Sequence, residues 1–594
     1  MANMDLSNIR PPFIFLDSAR LDNKNDKSYL FIRPLQILTT NQPHEIKSIF
    51  DQIDILSQKY WISGYLSYEA LYGFEPKLTS PKSFSYPLIW MGVYKKPFLI
   101  KSYKGQRPGE EHLIQLNSSM SWPTYKNAIH SIKQHIHRGN TYQVNYTFDQ
   151  NMRASISGWA LYDFLRHKQK TSYCAYIHTR HNEIMSFSPE LFFCRDKNFI
   201  ETKPMKGTIK RGRHSAEDLE NKNQLAHDTK NIAENLMIVD LLRNDLGRIC
   251  QTDSIKVQDM FQVETHPTLH QMTTTIQGQL NPHTAYYDIF RSLFPCGSVT
   301  GAPKIKTMQI IEKIEQGKRG VYCGAIGYIS PKQKAVFSVP IRTLVRPTSQ
   351  KLWKYRVGSG IIWDSDTKQE WEECHTKSQF LTQLPCQDFD IFETILWNKR
   401  LIYLNDHINR LKNSCQYFAY PLDDKNLKLL IKTIQHTLKN NPPTIIKIMV
   451  AANGKMRWEV RPFKKFTNNG EPLKIIIAEQ KLDSQNKFLF HKTTRRPWYE
   501  KASKLTKNNQ SYEVIFFNQR GELCEGSRSN IFIDMAGQLF TPALTCGLLP
   551  GILRGRLLKQ NKCKELILHK TDLDRAQAIY CGNSVRGLVQ VKMV

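Results

Sequence analysis

Lys206 lies in the stretch "ETKPMKGTIKRG", wedged between Met205 and Gly207. A lysine held in a tight, partly apolar turn can lose enough basicity to act as a nucleophile. Taken alone, the same residue also reads as a solvated loop lysine. Glu190, in "SFSPELFF", precedes it by sixteen positions. Further on, "SDTKQEWEECHTKSQ" sets Glu370, Glu373 and Lys377 at i, i+3 and i+7, so on a helix two carboxylates and an ammonium share one face. Glu234 follows Asn231 by three and presents its oxygens similarly. Carboxylates without His or Cys suit Mg²⁺, a hard cation that keeps waters and completes its shell from an anionic ligand. The same spacing also describes a solvated i,i+4 ion pair between Glu373 and Lys377. In "FPCGSVTGAPKIKTMQII" a turn of small residues leads into a helical pattern, which exposes backbone N–H groups to an anion.

The C-terminal third holds a second set. Lys492 in "HKTTRR" follows an aromatic run, where an internal Schiff base could form, and Glu525 in "GELCEGSRSN" could share a proton with a pyridine nitrogen. "LLPGILR" is a Pro-Gly turn into a helix whose N–H groups could cradle a phosphate. Singly, these are also a surface lysine, a turn glutamate and an ordinary helix start.

The elements that must position these groups follow from patterning. Residues 1–110 mix short β-like runs with turns and read as an antiparallel sheet layer. Over 111–382 β-like runs such as "ELFFCRD" and "GAIGYIS" alternate with helical patterns. Ser215 and Asp218 are spaced like an N-terminal capping pair for a helix running towards "NIAENLMIVDLLRND". Its apolar face is predicted at Ile232, Leu236, Val239 and Leu242. A proline-containing break at 380–390 opens a new alternation, so a second unit is placed at 383–594, large enough for its own core. No internal repeat joins the halves.

At 594 residues the chain exceeds one core and requires at least two folding units. Its 40% hydrophobic content is that of a globular protein, and no run approaches the roughly 20 apolar residues of a membrane span. The N-terminus has an Asp and two prolines where a signal peptide needs an unbroken apolar run, so a cytoplasmic protein is expected. Twelve cysteines without a C-x-x-C pair signal reduced thiols rather than zinc or disulfides. A net charge of +30 raises nucleic-acid binding, but the lysines are spread along the chain with no recognition motif. A positive field also steers a small polyanionic substrate.

The motifs "GNTYQVNYT", "SFSPELFF", "KPMKGT", "AENLMIVDLLRNDLGR", "FPCGSVTGAPK", "YCGAIGYIS", "VPIRT" and "GSGIIWDSDTKQEWEE" occur in the order found in chorismate-utilising enzymes. Residues 120–380 resemble that family, which implies a β-sandwich-like α+β fold. The turn "PMKGT" resembles the P-x-K-G-T of 4-amino-4-deoxychorismate synthases, whereas anthranilate synthases have P-I-A-G-T. The resemblance implies that Lys206 adds to C2 of chorismate with loss of the 4-hydroxyl, that ammonia then attacks C4 and expels the lysine, and that Glu190 is the acid/base group. It implies Mg²⁺ on Glu234 and Glu373, with Glu370 nearby. Thr300, Tyr328, Arg342, the backbone of Gly358 and Gly360, and Lys377 would line the substrate site, Arg342 as carboxylate partner. Asn231 departs from the acidic residue common in relatives, Ser359 from a glycine, and "EWEEC" from E-Y-x-E-T.

From 388 on, "DIFETILW", "LNDHINRL", "HKTTRR", "GELCEGSRSN", "GLLPGILRGRLL" and "YCGNSVRG" resemble the fold-type IV pyridoxal-phosphate enzymes, an α/β fold shared by aminodeoxychorismate lyase and the class IV and D-amino-acid aminotransferases. This implies pyridoxal 5'-phosphate as cofactor, Lys492 as Schiff-base lysine and proton shuttle, and Glu525 as partner of the ring nitrogen. Arg410, the amides of Ile552 and Leu553, and Ser584 would hold the phosphate. The motifs fix the cofactor better than the reaction, and the fusion favours the lyase: two consecutive steps from chorismate to 4-aminobenzoate, a folate precursor. The alternative is an anthranilate- or isochorismate-type synthase joined to an aminotransferase. No G-x-C-x-G turn of an amidotransferase occurs, so ammonia from glutamine is expected to need a separate glutamine amidotransferase subunit. Fold-type IV enzymes are commonly dimers, which leaves a homodimer through the second domain open.

Overall fold

The computed structural model describes residues 9–19, 27–81, 83–100, 114–169, 171–266, 269–382, 389–464, 471–507 and 511–594. The chain divides into two compact units. The first comprises residues 1–209 and 224–386, the second 210–223 and 387–594.

The first unit is built on two ten-stranded sheets. One runs in the order Gly301–Ala302, Gln143–Ala154, Trp353–Ile361, Thr343–Pro347, Asn182–Ser188, Tyr173–His178, Phe13–Asp17, Ser28–Ile32, Phe98–Ile100, with Ile114–Ser118 beside Gln143–Ala154. The other runs Met205–Lys210, Leu269–Gln279, Phe199–Lys203, Leu191–Asp196, Lys334–Ser338, Ala325–Ile329, Trp61–Leu66, Ile89–Tyr94, Gln36–Thr40, with Lys256–Thr265 beside Leu269–Gln279. The strands before residue 110 therefore complete the same two sheets as those after it. Residues 1–110 share one unit with 111–209 and 224–382 rather than forming a separate layer, while 210–223 fall to the second unit.

Period-two alternation decides what each face buries. In Ala325–Ile329, Ile326 and Tyr328 join Tyr65, Trp90, Tyr94, Ile14, Phe31 and Ile177, a cluster drawn from both sheets. Ala325 and Ile329 instead pack with Ile49, Phe50, Ile238 and Phe290, from the helices that cover the second sheet. Each large ring buried between the sheets contributes about 1.5–3 kcal/mol.

The predicted long helix is two: Ser215–His227 and Thr229–Gly247. Asp228 separates them and caps the second by accepting the Asn231 amide at 2.8 Å. The Asp218 carboxylate accepts from the Gly212 amide and the Arg211 guanidinium. The buried stripe of Thr229–Gly247 is Asn235, Ile238, Val239, Leu242 and Leu246, shifted from the predicted face so that Leu236 is exposed. Helix Thr367–Thr382 turns Glu370, Cys374, Ser378 and Leu381 inward at i,i+4 and i,i+3 spacing.

The second unit has a three-stranded antiparallel sheet, Ile391–Trp397, Thr444–Val450, Met456–Pro462, and a mixed eight-stranded sheet. In the latter, Leu473–Ile477 runs parallel to both Glu513–Phe517 and Gly587–Met593. The segment 210–223 belongs to this unit: Arg211 stacks 4.4 Å from the Tyr417 ring, and Tyr417 donates its hydroxyl to Gly212 O at 2.7 Å.

Candidate active sites

Lys206 stands on Met205–Lys210, at the end of its sheet. Its ammonium donates to Ser298 O at 3.2 Å, and Ser298 Oγ donates to Glu190 Oε1 at 2.6 Å. The turn Gly297–Val299 thus links the two residues that the sequence set apart. Burial holds the Lys206 amine below its ordinary value, against the opposing pull of Glu234 and Glu190. Burial likewise pushes the Glu190 carboxyl up to about 7, with Ser298 and Lys206 pulling the other way. An amine of lowered basicity and a carboxyl of raised pKa, linked through Ser298, are groups able to do nucleophilic and acid/base chemistry.

Gly207 has φ +80°, and a Cβ there would come within 2.9 Å of Asn231 Cβ, so the strand of Lys206 lies tight against helix Thr229–Gly247. A Cβ on Gly360 would meet Gln143 Nε2 at 2.3 Å and Lys206 Nζ at 3.3 Å, so the bare backbone of Gly360 keeps room beside the amine. Gln143 is buried and its Oε1 has no hydrogen-bond partner among the described residues, an acceptor aimed into the site. Neither Gln143 in "GNTYQVNYT" nor Ser298 in "FPCGSVTGAPK" stands out in the sequence as a site residue. Their roles come from chain segments far apart in sequence.

Lys377 bridges Glu373 Oε1 at 2.7 Å and Gly358 O at 3.0 Å. Burial works against the Lys377 ammonium, but Glu373 outweighs it and holds the amine above its ordinary value, while Lys377 holds Glu373 below its own. Glu370 accepts Ser365 Oγ at 2.8 Å, and burial with the neighbouring Glu373 pushes its carboxyl up. Burial also pushes Glu234 up, with Glu370 and Glu373 adding repulsion. The carboxylates are therefore close enough to repel. Among the described residues no group of three His, Cys, Asp or Glu side chains is set to hold a metal. An all-oxygen donor pair completed by an anionic ligand and water is the arrangement this chain offers, and that fits Mg²⁺.

Thr300 is buried at the end of the Gly297–Val299 turn, its hydroxyl on Cys296 O at 3.1 Å. Arg342, at φ +53°, donates to Gln169 Oε1 at 2.7 Å, and burial lowers its pKa with Tyr355 opposing. Tyr355 in turn donates to Lys377 O at 3.1 Å, which ties Arg342 to the carboxylate helix. Tyr328 is a correction. Strand alternation turns it between the sheets, 5.2 Å from the Tyr29 ring and 5.6 Å from Trp61, not towards Lys206. Tyr322, six residues earlier in the same motif, lies instead among Cys323, Arg319 and Tyr355.

In the second unit Lys492 lies 4.9 Å from the Phe392 ring centroid. Burial, with Arg496 and Arg410 adding to it, lowers the amine to about 7. Glu525 accepts Tyr499 Oη at 2.6 Å, and burial pushes its carboxyl up against Arg496. Arg410 is fixed by two bonds to Glu393, at 2.8 and 2.7 Å, and its Nη1 donates to Pro550 O at 3.1 Å. That places it beside Gly551, the N-cap of Ile552–Lys559, whose amides at Ile552 and Leu553 open that helix. A Cβ on Gly551 would strike Asn530 Oδ1 at 1.9 Å. Ser584 sits in the hairpin turn between Ala578–Asn583 and Gly587–Met593. Thr493 Oγ1 and Arg496 Nε, both shielded from solvent, lack partners among the described residues. A weakly basic lysine, a buried carboxyl, a glycine-opened helix start and orphaned donors fit pyridoxal phosphate.

With that geometry, the chain belongs to the chorismate binding enzyme family, whose profile matches residues 17–383. Residues 390–594 match the amino-transferase class IV family, so the second unit is of that class, which implies pyridoxal phosphate. Among relatives, the chain is 37% identical over 270 residues to aminodeoxychorismate synthase component 1 of Escherichia coli, a match covering 45% of this chain and 59% of that protein. It is 35% identical over 254 residues to aminodeoxychorismate synthase component 1 of Bacillus subtilis, covering 43% and 54%. The chain thus spans between half and two thirds of the length of these curated relatives. Anthranilate synthase component I from Streptococcus pneumoniae shares the fold, with a TM-score of 0.52 at 21% identity over 64% of this chain and 94% of that one. No helix among the described residues is long and apolar enough to cross a membrane.

Proposed function

We propose that the chain makes 4-aminobenzoate from chorismate and ammonia in two consecutive steps, one in each unit. The observation that carries this is the chain Lys206–Ser298–Glu190, which sets an amine of lowered basicity beside a carboxyl of raised pKa. In the first unit Lys206 Nζ bonds to C2 of chorismate as the C4–O bond breaks. Glu190 protonates the departing hydroxyl, which leaves as water. Ammonia then bonds to C4, the C2–N bond to Lys206 breaks, and Glu190 takes up the surplus proton. Arg342 and Lys377 counter the substrate's carboxylates. Mg²⁺ would be held by Glu234 and Glu373, with Glu370 nearby, and would supply a positive charge for a carboxylate.

In the second unit pyridoxal phosphate would be held by Lys492, Glu525, Arg410, the amides of Ile552 and Leu553, and Ser584, and supplies an electron sink when bound. Lys492 would carry the proton as pyruvate departs, and Glu525 would hold one at the ring nitrogen. The relatives are named as component 1 of a synthase, which supports a separate glutamine amidotransferase supplying the ammonia. The purified chain with chorismate, Mg²⁺, ammonium and pyridoxal phosphate should yield 4-aminobenzoate, and without pyridoxal phosphate should accumulate aminodeoxychorismate. Lys206→Ala should lose at least about 100-fold in the first product, the scale of removing a positioned reactive group. Anthranilate from the wild type, or unchanged turnover by the variant, would overturn the reading.

A further inference from the structure

Arg496 is a cation that the reading above leaves without work. Its guanidinium lies 5.8 Å from the Phe392 centroid, over the same ring as Lys492, and 5.2 Å from the Tyr499 ring, whose hydroxyl binds Glu525. It therefore stands against both residues that flank the cofactor position. Its Nε is shielded from solvent without a hydrogen-bond partner among the described residues, and no carboxylate among them pairs with the guanidinium. Glu525 feels the charge of Arg496, but no carboxylate among the described residues is bonded to this half-buried guanidinium, so its donors remain open to an anion that arrives on binding. Of the neighbouring arginines, Arg410 is bonded to Glu393 and Pro550, and Arg495, whose Nη1 also lacks a hydrogen-bond partner among the described residues, lies 4.7 Å from the Phe488 ring, not over the Phe392 ring that Lys492 and Arg496 share.

Resting on the proposed lyase reading, we propose that Arg496 binds the carboxylate of the side chain that leaves as pyruvate, and so selects dicarboxylic, enolpyruvyl-bearing substrates. That carboxylate is carried on the carbon next to the amine-bearing one, close to Lys492, whereas the ring carboxylate lies across the ring. A planar fork suits it, since two parallel N–H···O bonds fix both the oxygens and the plane. Arg496 would act as a specificity-determining residue, with Phe392 and Tyr499 walling its guanidinium.

The test uses the full chain loaded with pyridoxal phosphate, without Mg²⁺ or ammonium, so that chorismate is an unreactive probe carrying both carboxylates. Binding to this site alone is read through the cofactor absorbance. 4-Aminobenzoate, which keeps only the ring carboxylate, is the second probe. Arg496→Gln should weaken chorismate at least about 10-fold, the scale of charge-assisted hydrogen bonds, while moving 4-aminobenzoate less than about twofold. Arg496→Lys should recover part of the loss. Equal chorismate affinity in wild type and Arg496→Gln would overturn the proposal, and so would equal weakening of both probes. A wild-type cofactor absorbance that chorismate does not perturb at any concentration would instead count against the lyase reading itself.

Discussion

Ser298 donates its hydroxyl to Glu190 Oε1 at 2.6 Å across 108 residues of sequence, and so holds the buried carboxyl in place. The hydroxyl favours the charged form, against the burial that raises the pKa to about 7. Ser298→Ala removes that bond and leaves burial less opposed. The alkaline limb of the synthase pH profile should then move up by ~1 unit, the free energy of about one hydrogen bond. An unmoved limb would detach Glu190 from the acid step.

Glu190 also has a cost for folding that its function explains. Its folded pKa, about 7, lies above the ordinary 4.5, so between those values the folded chain keeps a proton that the unfolded chain has lost. Stability from this group is fully present below 4.5 and falls as pH rises through 7. Glu190→Gln is neutral throughout and keeps an oxygen for Ser298. Relative to wild type, its first unit should gain on the order of 3 kcal/mol between pH 4.5 and 8 while synthase activity is lost. A stability difference that does not change with pH would show that the carboxyl is not desolvated in solution.

Sequence carried the strands and the reactive residues further than it carried side-chain direction. The runs that became Leu191–Asp196 and Ala325–Ile329 were legible because burial on two faces leaves continuous apolar stretches. Tyr328 was misplaced because which face a strand residue takes depends on register with Trp61–Leu66 and Lys334–Ser338, which no local pattern fixes. Leu236 was misplaced because Asp228 restarts the helix and rotates its buried stripe. Gln143 and Ser298 were invisible as site residues because each comes near Lys206 or Glu190 only after segments distant in sequence are brought together. Lys206 and Lys492 were readable through the ordered motifs around them, since singly each also reads as a solvated lysine, and the turn expected around Lys206 is the strand Met205–Lys210.

Lys492 should show its weakened basicity directly. With the amine lowered to about 7, it is mostly neutral above that pH and protonated below it. Only the neutral amine can bond to the cofactor's carbonyl carbon. The apo chain should therefore regain cofactor absorbance about tenfold more slowly at pH 6 than at pH 8, following one titration near 7. A lysine of ordinary basicity would give a rate still climbing tenfold per unit above pH 8.

Glu393 is the support on which Arg410 rests. It is 1% exposed, and burial alone would raise its pKa, but Arg410 outweighs that with two hydrogen bonds and His407 adds a third at 2.7 Å, holding the carboxyl at about 2. Stability from this group is therefore present above the ordinary 4.5 and is lost as pH falls towards 2. Glu393→Gln leaves Arg410 half-buried and uncompensated, which should destabilise the second unit by about 3–5 kcal/mol at pH 7. Because the chain has two units, the second must be followed by its own signal, the cofactor absorbance during denaturation. The guanidinium loses its fixed plane beside Pro550, so pyridoxal phosphate should also dissociate more readily at denaturant concentrations where the unit stays folded. If the variant retained wild-type cofactor affinity, Arg410 would be a structural partner of Glu393 with no part in holding the phosphate.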